Sequence, residues 1–334
     1  MSEGVKRELG LAGPASSEVR LLRARHAAGD LVLFLGAGVP LSAGLPGWEA
    51  LLHQLTVEMW AQRLGEGTSG EETRAFADLF HEAFGGFPII SGRYIRKALG
   101  ERFRHCVRRI LYGHADATSD LLWAITRLCM PERGAGGVRA VVCYNYDDLL
   151  EVHLARQGIR FRSIYAEGQS PRPNEIPIYH VHGYLPREET LEEESELVFA
   201  EDAYHTQFLD PYGWANITQL SLLRESTGLF VGFSMTDPNL RRLLDVAHRH
   251  GRGCRHYAVM KSPSPEELAR GGGRALALER AEEFIRAYQG IQEDALADLG
   301  LRVLWVKRFE DVPVLLDAIR QLPDDWIHST GCAL

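Results

Sequence analysis

A run of five apolar residues that ends in a Gly-Ala-Gly turn constrains the fold of this chain most strongly. The run covers residues 31–35, and Gly36-Ala37-Gly38 follows it. Apolar residues then recur at three- and four-residue spacings from Trp48 to Leu55, which predicts a helix. Glycines let the backbone approach a ligand closely, and a helix N-terminus offers N–H groups to a phosphate. A tight packing corner is the alternative interpretation of such a turn.

Length and charge limit the class of protein. The 334 residues are enough for one large α/β domain, or two, with a sizeable core. The formal net charge of −8 argues against a general nucleic-acid-binding surface, although a local basic patch is compatible with it. No apolar run reaches the length of a membrane span, and the N-terminus lacks the apolar core of a signal peptide. We therefore expect a cytoplasmic protein with no membrane partner and no direct nucleic-acid partner.

The cysteines do not show the spacing of a metal site. There are five of them, and none lies two to four residues from another: Cys106, Cys129, Cys143, Cys254 and Cys332. The paired spacing of a structural zinc site is therefore absent. An odd number without framework spacing fits reduced, cytosolic thiols, and we expect no zinc.

Apolar runs that alternate with helical patterns predict a parallel sheet covered on both faces. The predicted strands are residues 31–35, 138–143, 159–164, 176–182, 228–233, 255–260 and 301–306. The predicted fold class is α/β: a Rossmann-like open parallel sheet with helices on both faces and an inserted helical subdomain.

The predicted domain organisation has four parts. Residues 1–16 are polar and small, which predicts a disordered arm, and residues 323–334 form a frayed tail. The core comprises residues 17–64 and 131–322. Between its two segments, residues 65–130 repeat a helical spacing with few β-branched runs, which predicts a helical insertion. The insertion would cover the active site, form a subunit interface or simply complete the core.

Three further motifs follow predicted strands. They read Tyr144-Asn145-Tyr146-Asp147, His180-Val181-His182-Gly183, and Gly232-Phe233-Ser234 with Asp237-Pro238-Asn239-Leu240 behind it. In open α/β sheets the ligand lies in the crevice beyond the carboxyl ends of the strands. The glycine turn and these three motifs are therefore expected to converge on one site.

Taken in order, the four motifs resemble those of sirtuin-like NAD-binding domains. The first continues from Gly36-Ala37-Gly38-Val39 into Ala43-Gly44-Leu45-Pro46-Gly47-Trp48. The resemblance covers roughly residues 18 to 320. It looks closest to the bacterial sirtuin-like domains of antiphage defence systems, which are NAD hydrolases. It implies that NAD is the substrate.

The resemblance implies catalytic roles for Asn145 and His182. The matching Asn holds a water or a ribose hydroxyl near the nicotinamide bond, and the matching His is the one that precedes the glycine. A histidine near its ordinary pKa can accept a proton from a ribose hydroxyl or an attacking nucleophile. His180 and His182 should share a face if their strand stays regular, with His182 nearer the crevice. A satisfied core histidine fits His180 better, and no third ligand lies nearby in sequence to favour a metal.

The remaining candidates would bind NAD. They are Gly36, Ala37, Gly38, Ser42, Trp48, Asp147, Gly232 and Ser234. In the family that this chain resembles, the residue matching Asp147 contacts the nicotinamide end or orders the site. Helix capping is the alternative role for Asp147, and a core position is the alternative for Trp48.

The chain departs from the deacylase pattern at positions that argue against acyl-lysine chemistry more than against NAD binding. Pro40 stands where deacylases have a Ser, Gly47-Trp48-Glu49 replaces their Asp-Phe-Arg, and Tyr144 precedes Asn145 in place of Thr or Gln. The zinc-ribbon module that protein-deacylating sirtuins generally carry is also missing from the cysteine pattern.

The sequence therefore predicts an NAD glycohydrolase, a regulated NAD-depleting effector in bacterial antiphage defence. It would release nicotinamide and ADP-ribose with water as the acceptor. The alternatives are an NAD-dependent deacylase or ADP-ribosyltransferase, and a non-catalytic assembly module that senses NAD or ADP-ribose. Because uncontrolled NAD loss would harm the host and no sensor domain is attached, we expect a homo-oligomer or a separately encoded sensor partner.

Overall fold

A computed structural model describes residues 14–320 apart from residues 66, 85–86, 114–117, 132–135, 189–194, 250–252 and 271–276. The predicted C-terminal tail and most of the predicted N-terminal arm lie outside the described residues. The first helix begins at Pro14, so the last three residues predicted for the arm belong to that helix.

The sheet has seven strands in the order β3-β4-β2-β1-β5-β6-β7, and all its pairings are parallel. The strands are β1 Leu31–Leu35, β2 Val138–Cys143, β3 Phe161–Ile164, β4 Ile176–His180, β5 Thr227–Val231, β6 His256–Lys261 and β7 Leu301–Val306. The predicted open parallel sheet is confirmed.

Helices fill the segments between the strands. Before β2 they are α1 Pro14–Ala27, α2 Gly38–Ser42, α3 Trp48–Leu64, α4 Gly70–Phe84, α5 Pro88–Leu99, α6 Arg102–Leu111 and α7 Asp120–Cys129. After β2 they are α8 Leu149–Arg156, α9 Glu201–Leu209, α10 Trp214–Glu225, α11 Pro238–His248, α12 Pro265–Arg270, α13 Leu278–Ala297 and α14 Asp311–Arg320. None of the helices in the described part of the chain is long and apolar enough to span a membrane.

Two apolar layers enclose the sheet. Successive residues of a strand point to opposite faces, so Leu33 packs in one layer and Phe34 in the other. The first layer contains apolar residues of α1, α7, α8 and α14, and the second contains those of α10, α11 and α13. The prediction of helices on both faces is therefore confirmed.

A third apolar cluster lies within the helices that follow β1. It is built by α3, α5 and α6 around the ring of Phe199, whose centroid lies 4.8 Å from those of Trp48 and Phe103. By packing, α3 therefore belongs with the helices of the predicted insertion, whereas α7 belongs with the first layer on the sheet. The predicted domain boundaries stay a prediction.

Candidate active site

A cavity of about 490 Å³ lies beyond the carboxyl ends of β1, β2, β4 and β5. All the predicted site residues except Gly38 and Ser42 line it: Gly36, Ala37, Trp48, Asn145, Asp147, His182, Gly232 and Ser234. Pro88 and Ile89 of α5 and Leu111 of α6 also line it, so the helices after β1 form part of its wall.

The glycine turn after β1 packs directly against the end of β5. The N–H of Gly36 donates to the carbonyl oxygen of Val231, and that of Gly38 donates to Gly232, both over 2.9 Å. A Cβ atom on Gly36 would stand 2.6 Å from the Gly232 oxygen, a distance that side chains do not tolerate. The tight-corner interpretation thus describes these two glycines, because their N–H groups are already bonded within the chain. In the described structure, the N–H of Ala37 has no backbone carbonyl partner.

Ser42 acts in the scaffold. Its hydroxyl donates to the carbonyl oxygen of Val39 over 2.7 Å, and its Oγ lies 2.8 Å from Oγ of Ser119. Ser119 caps α7 by accepting from the N–H of Leu122. Ser42 therefore links the short helix α2 to the start of α7.

Asn145 connects the end of β2 to the glycine turn. The side chain is buried, and its Nδ2 donates to the carbonyl oxygen of Gly36 over 3.0 Å. This bond fixes the direction of the amide. No described residue donates to its Oδ1, so this oxygen can accept a hydrogen bond from a water or hydroxyl in the cavity.

His182 lies in an aromatic corner of the cavity. Its ring centroid is 4.4 Å from that of Tyr144 and 5.9 Å from that of Tyr204. Burial lowers the pKa of His182, while the nearby Asp237 carboxylate acts in the opposite direction. Within the described chain, its buried Nε2 has no hydrogen-bond partner. The imidazole is therefore neutral at neutral pH, the form in which a ring nitrogen can accept a proton.

A regular strand over 176–182 would place both histidine side chains on one face of the sheet. In the structure, the two side chains have different surroundings. β4 ends at His180, and Gly183 turns the chain with φ of 102°. Because the chain leaves the strand after His180, the two-residue period does not extend to His182. His180 is fully buried with Nε2 2.6 Å from Oε1 of Glu151 on α8. His180 is thus the satisfied core histidine.

Asp147 both bonds the first N–H of a helix and lines the cavity. Its Oδ1 accepts a hydrogen bond from the N–H of Leu149, the first residue of α8, over 3.2 Å. Burial, which disfavours the charged carboxylate, raises its pKa to about 7. Asp147 is therefore a carboxyl group that changes charge near neutral pH inside the candidate site.

Asp237 and Tyr204 are cavity residues that the sequence did not identify as site residues. Asp237 is the N-cap of α11, and its Oδ1 accepts from the N–H of Leu240 over 2.7 Å. Its other oxygen, Oδ2, accepts from the Tyr204 hydroxyl over 3.0 Å. The position of Asp237 in the motif after β5 was the available signal, whereas Tyr204 lies in α9 outside every motif.

The charged groups of the cavity wall are acidic. Asp147 and Asp237 line it, and no Lys or Arg does so among the described residues. A phosphate would therefore need neutral donors, which are backbone N–H groups or the hydroxyls of Ser234 and Thr236. In the described part of the chain, the N–H groups of Phe233 and Ser234 have no backbone carbonyl partner.

A metal site is not evident in the described ranges. No group of three or more His, Cys, Asp or Glu residues is arranged there to hold an ion. The four cysteines in those ranges are free thiols, and burial raises the pKa of Cys129 to about 12 and also that of Cys143. The absence of zinc stays a prediction.

Comparison with known proteins gives a family match and several relatives. A family model described as "SIR2-like domain" matches residues 139–288. NAD(+) hydrolase ThsA of Enterococcus faecium is 23% identical over 301 residues, which cover 88% of this chain and 55% of that protein. NAD(+) hydrolase ThsA of Bacillus cereus (strain MSX-D12) is 28% identical over 250 residues, 72% of this chain and 45% of that protein. An uncharacterized protein y4cA of Sinorhizobium fredii is 27% identical over 265 residues, 75% of this chain and 21% of that protein. The chain thus spans about half or less of the length of these relatives.

Proposed function

We propose that this chain, which carries a SIR2-like domain homologous at modest identity to NAD(+) hydrolases, is an NAD glycohydrolase. It would cleave the bond between nicotinamide and ribose and release nicotinamide and ADP-ribose. One observation carries the proposal: the Asn145 amide and the His182 imidazole line the same cavity as Gly36 and Gly232. The names of the two relatives support it.

Each part of the cavity has a role in the proposed reaction. The nicotinamide ring of NAD carries a positive charge, which the carboxyl group of Asp147 and the face of Tyr144 would favour. Departure of neutral nicotinamide leaves a ribose with oxocarbenium character. Oδ1 of Asn145 would order the attacking water, and His182 would accept a proton from that water or from a ribose hydroxyl. The free N–H groups of Ala37 and Ser234 would bind phosphate oxygens.

The direct test is incubation of the pure protein with NAD, followed by chromatographic separation of the products. Equal amounts of nicotinamide and ADP-ribose are expected. A parallel incubation with an acyl-lysine peptide distinguishes deacylation, because that reaction makes nicotinamide release depend on the peptide. Tight binding of NAD with no nicotinamide release, in any oligomeric state, would establish the sensing module in place of the hydrolase.

We further propose that the activity serves regulated NAD depletion in antiphage defence, through a homo-oligomer or a separately encoded sensor protein. The surface of α4 and α5 supports an interface, because it exposes Phe76, Leu79 and Tyr94, with Leu79 59% exposed. The variant Leu79→Glu should lower the oligomer mass in light scattering, whereas Ile291→Glu, which changes an exposed apolar residue of α13, should not. A fully active monomer at every concentration, with and without NAD, would contradict an obligatory oligomer. A cytoplasmic location stays a prediction.

A further inference from the structure

We infer that Asp237, held in place by Tyr204, is a positioning residue for His182, and that its carboxylate stabilises the imidazolium formed when His182 accepts a proton. The catalytic consequence rests on the proposed function. The arrangement of the three side chains does not depend on it.

The Asp237 carboxylate is fixed by hydrogen bonds at both oxygens. Oδ1 accepts from the N–H of Leu240 over 2.7 Å, and Oδ2 accepts from the Tyr204 hydroxyl over 3.0 Å. The same Oδ2 lies 4.0 Å from Nε2 of His182, which is beyond hydrogen-bond distance but within the range of a strong charge interaction. The carboxylate thus has a defined position beside the histidine. It forms no hydrogen bond with His182, so both ring nitrogens stay available to other partners.

The other titratable groups that face His182 are neutral at neutral pH. The ring of Tyr144 approaches from the end of β2 and the ring of Tyr204 from α9. Burial raises the pKa of both hydroxyls, which keeps them protonated. In the described surroundings of His182, Asp237 is therefore the group whose negative charge opposes the effect of burial on the imidazole.

The substitution Asp237→Asn separates this role from helix capping. Asn is as good an N-cap as Asp, because its one side-chain oxygen can still accept from the N–H of Leu240, while its amide nitrogen can donate to the Tyr204 oxygen. A residue that only caps α11 would therefore tolerate the change with little effect on stability or on His182. A residue that stabilises the imidazolium would not, because the negative charge is gone.

The experiment is an NMR titration of the histidine ring carbons in the full chain without NAD, with His182→Gln used to assign the signal. We expect Asp237→Asn to lower the pKa of His182. Tyr204→Phe removes only a hydroxyl and leaves Oδ2 freer to interact with the imidazole, so it should raise that pKa. The control Asp245→Asn removes an exposed charge of the same helix, which is paired with Arg249, and should leave the His182 titration unchanged.

Turnover gives the second readout. With NAD, Asp237→Asn should lower kcat by roughly 10- to 10²-fold, less than the loss at His182→Ala, because only the stabilisation of the proton acceptor is removed. A His182 pKa that is the same in wild type, Asp237→Asn and Tyr204→Phe would overturn the inference, and Tyr204→Phe alone decides if Asp237→Asn does not fold. Shifted pKa values in a protein that never releases nicotinamide would support the inference and overturn the proposed function.

Discussion

Nδ1 of His180 lies 3.2 Å from the main-chain carbonyl oxygen of Asn145. The other ring nitrogen, Nε2, is paired with the buried carboxyl group of Glu151, which also accepts from the Ser163 hydroxyl over 2.9 Å. His180 therefore supports the backbone of the residue that we propose to order the attacking water, although its own side chain is outside the cavity wall. Substitution of His180 therefore tests both the stability of the core and the placement of Asn145.

We predict that His180→Ala lowers the free energy of unfolding by about 3–5 kcal/mol, because it leaves Glu151 buried without its partner. Chemical denaturation followed by circular dichroism measures this change. Ser163→Ala, which removes one neutral donor to the same carboxyl group, should cost about 1 kcal/mol. Equal stability of wild type and His180→Ala would show that the pair contributes nothing. Because nicotinamide release should also fall in His180→Ala, this variant is not a neutral control for His182→Ala.

The contact between the glycine turn and β5 leads to a second prediction. Gly36→Ala should destabilise the fold and weaken NAD binding, because the added Cβ would stand 2.6 Å from the Gly232 oxygen and 2.9 Å from the Phe233 ring. We expect a loss of about 1–3 kcal/mol, the usual cost of overpacking. The control is Gly47→Ala, where the nearest atom to the new Cβ is 3.7 Å away. Thermal denaturation measures the stability of both variants, and NAD titration measures their affinity. Equal losses in Gly36→Ala and Gly47→Ala would contradict the contact between the glycine turn and Gly232.

Asp147 predicts a pH dependence of stability. Its pKa is raised from 3.8 to about 7 in the folded protein, so between these values the folded chain binds more protons than the unfolded chain. The contribution of Asp147 to stability therefore falls as the pH rises through this window. Asp147→Asn keeps the acceptor for the Leu149 N–H and removes this loss. Denaturation curves at about pH 4 and about pH 8 should show the variant gaining stability relative to wild type at the higher pH. An unchanged difference between the two proteins would contradict a raised pKa.

The residues that line the cavity could largely be named from the sequence, because the strand ends carry local signals. Apolar runs stop at Gly36, Tyr144 and Gly232, and each stop marks the edge of the sheet where the cavity lies. Parallel strands bring these ends together whatever the details of the packing. Asn145 and Asp147 needed no further information to be placed near the glycine turn.

The remaining features depend on tertiary packing, which periodicity does not report. Tyr204 reaches the cavity because α9, between β4 and β5, packs against α5 and α11, where the Tyr204 hydroxyl bonds Asp237. His182 lines the cavity as predicted, but β4 ends at His180, so the condition of a regular strand over 176–182 is not met and the two histidines have different surroundings. Ser42 follows the glycine turn in sequence, yet its hydroxyl is hydrogen-bonded to Ser119 and to the carbonyl oxygen of Val39 in its own helix.

We propose that Asn145 and His182 together cleave the nicotinamide bond in this cavity, and the most direct test separates chemistry from binding. Nicotinamide release at saturating NAD should fall about 10²–10⁴-fold in both Asn145→Ala and His182→Ala. NAD binding to the same proteins, measured by calorimetry, should change much less, because the proposed phosphate donors are backbone groups such as the N–H of Ala37. Wild-type release rates in either variant, or a loss of release explained entirely by lost NAD binding, would contradict the account.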